Sequence, residues 1–249
     1  MRIESYAQEF EDLFLFALLN NVHEGFYIDI GANDPTYDNV TKFFYDRGWH
    51  GINIEPQKYE CQLLEELRPR DINLCVGIGS EPSEMFLYEC PASGLSTFSA
   101  DIARESFPAV EDENEIDPEN YRSSIPTKIM TLTEIFKSYC EPQKPIHFCK
   151  IDVEGFEKEV LLGVKNWQEF RPWIFCIESA IPNTEIPSYK DWEYILFDAG
   201  YQLTFAYGIN RYYVDSRRSH LAKTPEQIIQ FVSQFEIRKV QLTLPIKFV

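Results

Sequence analysis

The chain has 249 residues, 44% of them hydrophobic, and a formal net charge of -17 at pH 7. That length carries one large α/β domain or two small ones. The charge repels DNA, RNA and anionic membranes at long range, so nucleic acid is a poor choice of substrate. No run approaches the roughly 18 apolar residues of a membrane helix, so no membrane insertion is expected. The N-terminus has no basic segment leading into an apolar core, which argues against a secretory signal. Six cysteines (Cys61, Cys75, Cys90, Cys140, Cys149 and Cys176) stand singly with no CxxC pair, against a zinc site or a redox motif. Cys75, Cys149 and Cys176 fall in predicted strands and are expected to be buried free thiols, which fits a reducing, cytoplasmic compartment.

In chain order, residues 7–20 carry apolar positions at helical spacing and predict a helix. "GFYIDIGA" (25–32) is a β-rich run ending in glycine. "NVTKFFYDRG" (39–48) reads as a helix stopped by Gly48. "GINIEP" (51–56) is a strand, residues 61–68 a helix, "INLCVGIG" (72–79) a strand and "EMFLYEC" (84–90) an outer strand. Beyond an irregular middle come a helix at 131–139, a strand at 146–152, a helix at 155–163, a strand at 173–179 and a helix at 188–198. "YQLTFAYG" and "NRYYVD" suggest a C-terminal antiparallel hairpin, followed by a helix at 224–235. Strands alternating with helices indicate a mostly parallel sheet with helices on both faces. One domain is expected: a helical extension over 1–24, a cofactor-binding core over 25–215, and a C-terminal helix and tail over 216–249. The acidic stretch "EDENEIDPEN" (111–120) reads as a solvated loop.

In open α/β sheets ligands bind beyond the carboxyl ends of the strands. "YIDIGAND" puts Asp29, Gly31, Ala32, Asn33 and Asp34 at such an edge, and Glu55 with Pro56 ends the next strand. That interval suits an acid gripping ribose hydroxyls. A dinucleotide needs a glycine-rich turn against its pyrophosphate, whereas this turn has one glycine and an acid. S-adenosylmethionine carries cationic sulfonium and ammonium groups and no phosphate, so Asp29, Asp34, Asp152 and Glu154 would suit it. Asp34 reads equally well as a helix cap.

"FYIDIGAND", "GWHGINIEP", "GLSTF" and "CKIDVEGFEKEVLLG" together resemble the FkbM-type methyltransferases, over about Gly25 to Ser179. The resemblance implies a Rossmann-like methyltransferase fold, S-adenosylmethionine as cofactor, and a sugar hydroxyl as a frequent acceptor. It implies Asp29 and Gly31 under the methionine part, Glu55 at the ribose, the Cys75–Gly77 turn with Val76 near adenine, and Asp152 facing the methyl group. The chain departs from the pattern at Asp34 and Pro35, where many members carry a second glycine.

Lys150 and Asp152 lie two apart in a strand and so share a face, as catalytic groups or as a structural pair. Glu157 and Glu159 read as a solvated helix face. Glu178 ends the fifth strand as Asp152 ends the fourth, so the two could share a divalent cation such as magnesium or serve as polar groups at a cleft. Ser96 and Thr97 of "GLSTFS" could close on substrate. Tyr212 and Tyr213 could stack on a sugar, with Arg217 and Arg218 forking a phosphate; an ordinary hairpin with a basic turn explains them as well. The expected activity is methyl transfer from S-adenosylmethionine to a saccharide hydroxyl, nucleotide-linked or glycan-bound. Asp152 is the leading base or metal ligand, with Glu154 and Lys150 beside it. The alternatives are a methyltransferase for a non-sugar hydroxyl, carboxyl or amine, a nicotinamide-dependent oxidoreductase, or a non-catalytic binding module. The partner is a small molecule or glycan, and a homo-oligomer is left open.

Overall fold

The structure is a computed structural model and describes residues 2–90, 94–106, 123–142, 144–169 and 171–241. The acidic stretch 111–120 lies outside the described residues. In chain order the elements are β1 (Arg2–Ser5), α1 (Glu11–Leu18), β2 (Phe26–Ile30), α2 (Lys42–Tyr45), β3 (His50–Ile54), α3 (Lys58–Leu67), β4 (Ile72–Leu74), β5 (Gly77–Ile78) and β6 (Ser83–Glu89). There follow α4 (Ala100–Ser106), β7 (Ser123–Met130), α5 (Leu132–Tyr139), β8 (Phe148–Ile151), α6 (Glu157–Leu162), β9 (Ile174–Glu178), α7 (Glu193–Asp198), β10 (Tyr201–Tyr207), β11 (Asn210–Asp215), α8 (Pro225–Val232) and β12 (Glu236–Lys239).

A seven-stranded sheet runs β10-β11-β9-β8-β2-β3-β4. The five strands from β4 to β9 are parallel, and β11 is antiparallel to both β9 and β10. Strand order reverses between β2 and β8, the position where open α/β sheets leave a crevice. Alternation along each strand makes two apolar faces. Ile28, Ile30, Ile52, Ile54, Cys149 and Ile151 face α5, α6 and α7. Tyr27, Phe148, Ile174 and Tyr212 face α1, α2 and α8. Each fully buried isoleucine of this kind contributes about 1.5–3 kcal/mol. Among the described residues no helix is long and apolar enough to cross a membrane.

Several details differ from the sequence expectation, among them strand β7 in the stretch read as irregular. The apolar run 72–79 is divided. β4 pairs with β3 for three residues, and β5 leaves the main sheet to pair with β7, where Leu87, Phe98 and Ile129 give it an apolar cover. Cys75 sits in that crossing and is exposed, while Cys149 and Cys176 are buried as expected. Ahead of α1 the chain also forms β1, which pairs in parallel with β12.

The turn after β2 is fixed by backbone. The Gly31 N–H donates to the Ile54 carbonyl (3.0 Å), and Gly31 has φ +75. A Cβ there would stand 1.8 Å from the Asp152 carbonyl oxygen. Buried Arg68 holds the next segment through the Pro35 carbonyl (2.8 Å) and Asn39 Oδ1 (2.7 Å). Gly31→Ala is therefore expected to cost at least ~2–3 kcal/mol, because both the φ and the space forbid a side chain. Gly48→Ala, with φ +88 but nothing within 4 Å, is the control and should cost about 1 kcal/mol. Chemical denaturation measures both; equal losses would mean that the β2–β8 junction is soft.

Candidate active site

A cleft of about 180 Å³ opens at the carboxyl ends of β2, β3 and β8. Gly31, Asn33, Glu55, Pro56, Val76, Gly77, Lys150, Asp152 and Glu154, all candidates from the sequence, line it. Gly94, Leu95 and Phe98 of "GLSTF" also line it, as do Asp38, Gln8 and Gln57, which were not singled out from the sequence. Nothing local in "PTYD" or "IEPQ" marks Asp38 or Gln57; only the fold turns them inward. Backbone strain collects here: Asn33, Asp38 and Glu154 are non-glycine residues with φ of 49, 48 and 53. Such conformations cost about 1–3 kcal/mol each and are held where the surroundings over-determine them.

Asp29 is fully buried and does not line the cleft. The sheet register sets it directly across from Lys150. Its Oδ2 accepts from the Thr41 hydroxyl (2.9 Å), and its Oδ1 lies 3.6 Å from the Lys150 ammonium. That ammonium also donates to the Gly31 carbonyl (2.8 Å) and lies 3.3 Å from Asp152 Oδ2. Burial would lower the Lys150 pKa, but Asp152 and Asp29 outweigh it and hold the pKa above its ordinary value. Lys150 is thus a fixed cation and no proton acceptor.

Glu55 is buried, and both its oxygens are engaged. Oε2 accepts from the Asn33 N–H and Oε1 from the Gln57 N–H, each at 2.9 Å. Each oxygen keeps a further lone pair toward the cleft. Asp34 does not line the cleft: its Oδ1 accepts from the N–H groups of Thr36 and Tyr37 (2.7 and 2.8 Å), so it closes a turn. Ala32 is likewise buried behind the turn.

Asp152, Glu154 and Glu178 have carboxylate oxygens within 4.8 Å of one another. Burial first, and Asp152 next, push Glu154 and Glu178 well above the usual carboxylate range. Glu157 is 2% exposed and not the solvated residue expected. It accepts from the N–H groups of Val153 (3.3 Å) and Gly155 (3.2 Å), bracing the loop that carries Glu154. The "GLSTF" segment docks on the same loop. Buried Thr97 donates from its hydroxyl to the Glu154 carbonyl (2.8 Å), whereas Ser96 lines the cleft and donates to Gln57 Oε1 (2.7 Å).

The aromatic and basic cluster near the C-terminus lies elsewhere. Tyr212 and Tyr213 are 0% exposed, so their faces cannot meet a sugar. Tyr212 stacks on Phe205 at 4.1 Å, and the Tyr213 hydroxyl sits 2.9 Å from Glu193. Arg217 pairs with Asp215 (3.0 Å) and Arg218 lies over Trp173 (4.1 Å). Both line a separate cavity with Arg171 and Ile146, at the amino end of β8 and β9 and so at the far end of the sheet. The cores on the two faces of the sheet bury Tyr212 and Tyr213, and Arg217 and Arg218 lie at the other cavity, so the segment does not reach the cleft.

The methyltransferase FkbM domain matches residues 29–203, well over half of the chain. The chain belongs to the FkbM methyltransferase family. The match begins at Asp29 and includes the cleft turn, Glu55, Asp152 and Glu178. No curated protein matches the chain significantly.

This FkbM-family protein carries buried carboxyls whose titration sets its pH response. Burial pushes Glu11, Glu55 and Glu157 up to about 7 and Asp12 up to about 6. A carboxyl with a raised folded pKa stabilises the fold while protonated and loses that contribution as pH rises through the folded value. His147, pushed down to about 4 by burial, acts oppositely: its contribution is lost as pH falls below its ordinary value. The carboxyls outnumber it. The thermal midpoint of the ligand-free protein is therefore expected to fall between about pH 5 and about pH 8. Glu55→Gln, which removes one titrating group, should flatten the profile. A midpoint that is constant or rises across the window would mean that these carboxyls ionise as freely as in the unfolded chain.

Proposed function

We propose that this methyltransferase uses S-adenosylmethionine and acts on a saccharide hydroxyl, nucleotide-linked or glycan-bound, with a Rossmann-like core as one unit. The observation that carries the cofactor reading is the charge of the cleft. Four acids, Asp38, Glu55, Asp152 and Glu154, line it; the one ammonium there, Lys150, is already held by Asp29 and Asp152, and burial raises Glu55 and Glu154, so a cationic ligand is the partner that would let them ionise. At an effective dielectric of ~20, two unit charges ~4 Å apart interact by about 4 kcal/mol. That favours a cationic ligand and opposes a pyrophosphate. The buried Asn33 Oδ1 has no hydrogen-bond partner among the described residues and sits where an ammonium could donate to it. Gly31 and Asn33 would hold the methionine part and Glu55 the ribose. Ile54, Val76 and Phe98 would form apolar walls for adenine, with Pro56 and Gly77 at its edge. The residues fit the cofactor.

Bound S-adenosylmethionine supplies an activated methyl group. The chain's own work is then to orient the acceptor and to handle its proton. Orientation can lower a barrier by ~7–11 kcal/mol, and proton handling by a positioned carboxylate adds ~10²–10⁴-fold. Asp152 and Glu154 are the part-exposed carboxyls of the acid group; Asp152, with a side chain 35% accessible and at the end of β8, is the one we assign to meet an incoming hydroxyl. Gln8, Gln57 and Ser96 give polar contacts for neighbouring sugar hydroxyls. The sugar reading rests on the family and on this polar rim, since Tyr212, Tyr213, Arg217 and Arg218 no longer support it. A cationic amine is the second reading, favoured by the same carboxyls; a carboxylate acceptor is disfavoured by them. The thiols without disulfides suit a cytoplasmic setting.

S-adenosylhomocysteine is expected to raise the thermal midpoint and NAD to leave it unchanged; equal effects would remove the cofactor assignment. Glu55→Gln should weaken S-adenosylhomocysteine by about 1–3 kcal/mol in calorimetry, because the ribose donors lose an acceptor. With labelled S-adenosylmethionine and a panel of sugar nucleotides, oligosaccharides, amines and carboxylates, label is expected in a saccharide. Label confined to amines would move the acceptor to the second reading. Asp152→Asn keeps the shape, and should cut kcat by ~10² or more with modest change in cofactor affinity.

A further inference from the structure

We propose that Asp152, Glu154 and Glu178 together bind one divalent cation of the oxygen-seeking kind, magnesium or manganese, at the floor of the cleft. The site concerns the same cleft as the proposed transfer and rests on that reading only for its catalytic role.

Three elements bring the carboxylates together. Asp152 directly follows β8, and Glu178 ends β9, its neighbour in the sheet. Glu154 reaches them from a left-handed backbone, φ 53, which the Thr97 hydroxyl fixes at the Glu154 carbonyl. The chain spends backbone strain to hold one acid beside two others. The oxygens of all three lie within 4.8 Å of one another. Oxygens on opposite sides of a bound magnesium, manganese or calcium ion stand about 4–5 Å apart. The spacing is that of carboxylates closing on an ion.

An independent observation comes from Glu178. It is 7% exposed, and its Oε2 has no hydrogen-bond partner among the described residues. A buried polar atom left unpaired is costly. The fold satisfies equally buried acids nearby: Glu55 and Glu157 each accept from two backbone N–H groups. Among the described residues neither Glu154 nor Glu178 forms an ion pair, and the Lys150 ammonium is committed to the Gly31 carbonyl, Asp29 and Asp152. A cation bound among the three carboxyls would supply the partner that Glu178 Oε2 lacks. An all-carboxylate set selects hard ions over zinc or copper. Asp152 and Glu154 line the cleft, so an acceptor oxygen could complete the coordination and have its pKa lowered there, its proton passing to solvent.

Manganese chloride titrated calorimetrically into the full chain, without cofactor or acceptor, tests the site. One ion per chain is expected, displaced by magnesium. Glu178→Gln keeps the shape and should weaken manganese tenfold or more. Glu84→Gln, at an exposed acid of β6, controls for loose binding to an acidic surface and should change nothing. Circular dichroism checks that the variants fold; if Glu178→Gln does not, Glu154→Gln carries the same expectation. Absence of a stoichiometric ion, or equal affinity in the wild type and the folded variant, overturns the proposal. That result would leave the transferase reading standing. Intact manganese binding with no methyl transfer to any acceptor would do the reverse.

Discussion

Lys150 on β8 stands across from Asp29 on β2, and its ammonium reaches oxygens of Asp29, Asp152 and Gly31. Those oxygens belong to the two central strands and the two turns that leave them, at the point where strand order reverses. Among the described residues Asp29 forms no other ion pair, and its burial is complete. Removing the lysine would strand a buried carboxylate, a loss that costs roughly 3–5 kcal/mol in comparable pairs. Gly31 completes the junction, because its missing side chain lets the Asp152 carbonyl approach. The cleft exists because this ion pair and this close contact set the two turns side by side.

The same junction concentrates unfavourable terms. Left-handed Asn33, Asp38 and Glu154, an unpaired Glu178 oxygen and several like charges all meet at one end of the sheet. Nothing in the core requires them there; Ile28, Ile30, Cys149 and Ile151 on the same strands are packed conventionally. Conformational strain and uncompensated charge in one place are what a site organised around a ligand looks like before the ligand arrives. A bound cation would relieve the repulsion and raise stability through binding to the folded state alone.

The strands that build the cleft were legible because apolar runs of β length between helical stretches report burial directly. The place of Glu55 at the cleft was legible because one helix and one strand separate it from the glycine turn. What the sequence hid was register and direction. Asp29 looked like a ligand because it sits one residue from the turn, yet alternation points it at Lys150 on the next strand. Tyr212 and Tyr213 looked like a binding face because aromatic pairs often are one. They belong to a strand whose two faces are both packed, Tyr212 against Phe14 and Phe205 and Tyr213 against Trp192 and Phe197. Glu157 looked solvated because its helix is acidic, but its backbone partners Val153 and Gly155 are set by a loop whose shape no local pattern encodes.

Charge is distributed by end of the sheet as well as in total. Carboxyls line the cleft at the carboxyl ends of the strands, while Lys144, Arg171, Arg217 and Arg218 surround the cavity at the other end. The basic residues are therefore too remote to help an acceptor bound at Asp152. On the proposed reading, an acceptor carrying phosphate must keep it outside the carboxyl-lined floor, where repulsion is screened by water and salt. While no cation sits on these carboxyls, an uncharged or cationic part approaches Asp152 more readily than an anionic one. A sugar ring meets that condition, since it presents neutral hydroxyls to the Gln8, Gln57 and Ser96 rim while any charged linkage stays in solvent. On that reading, the carboxyl-lined floor would also orient a sugar acceptor, hydroxyl inward.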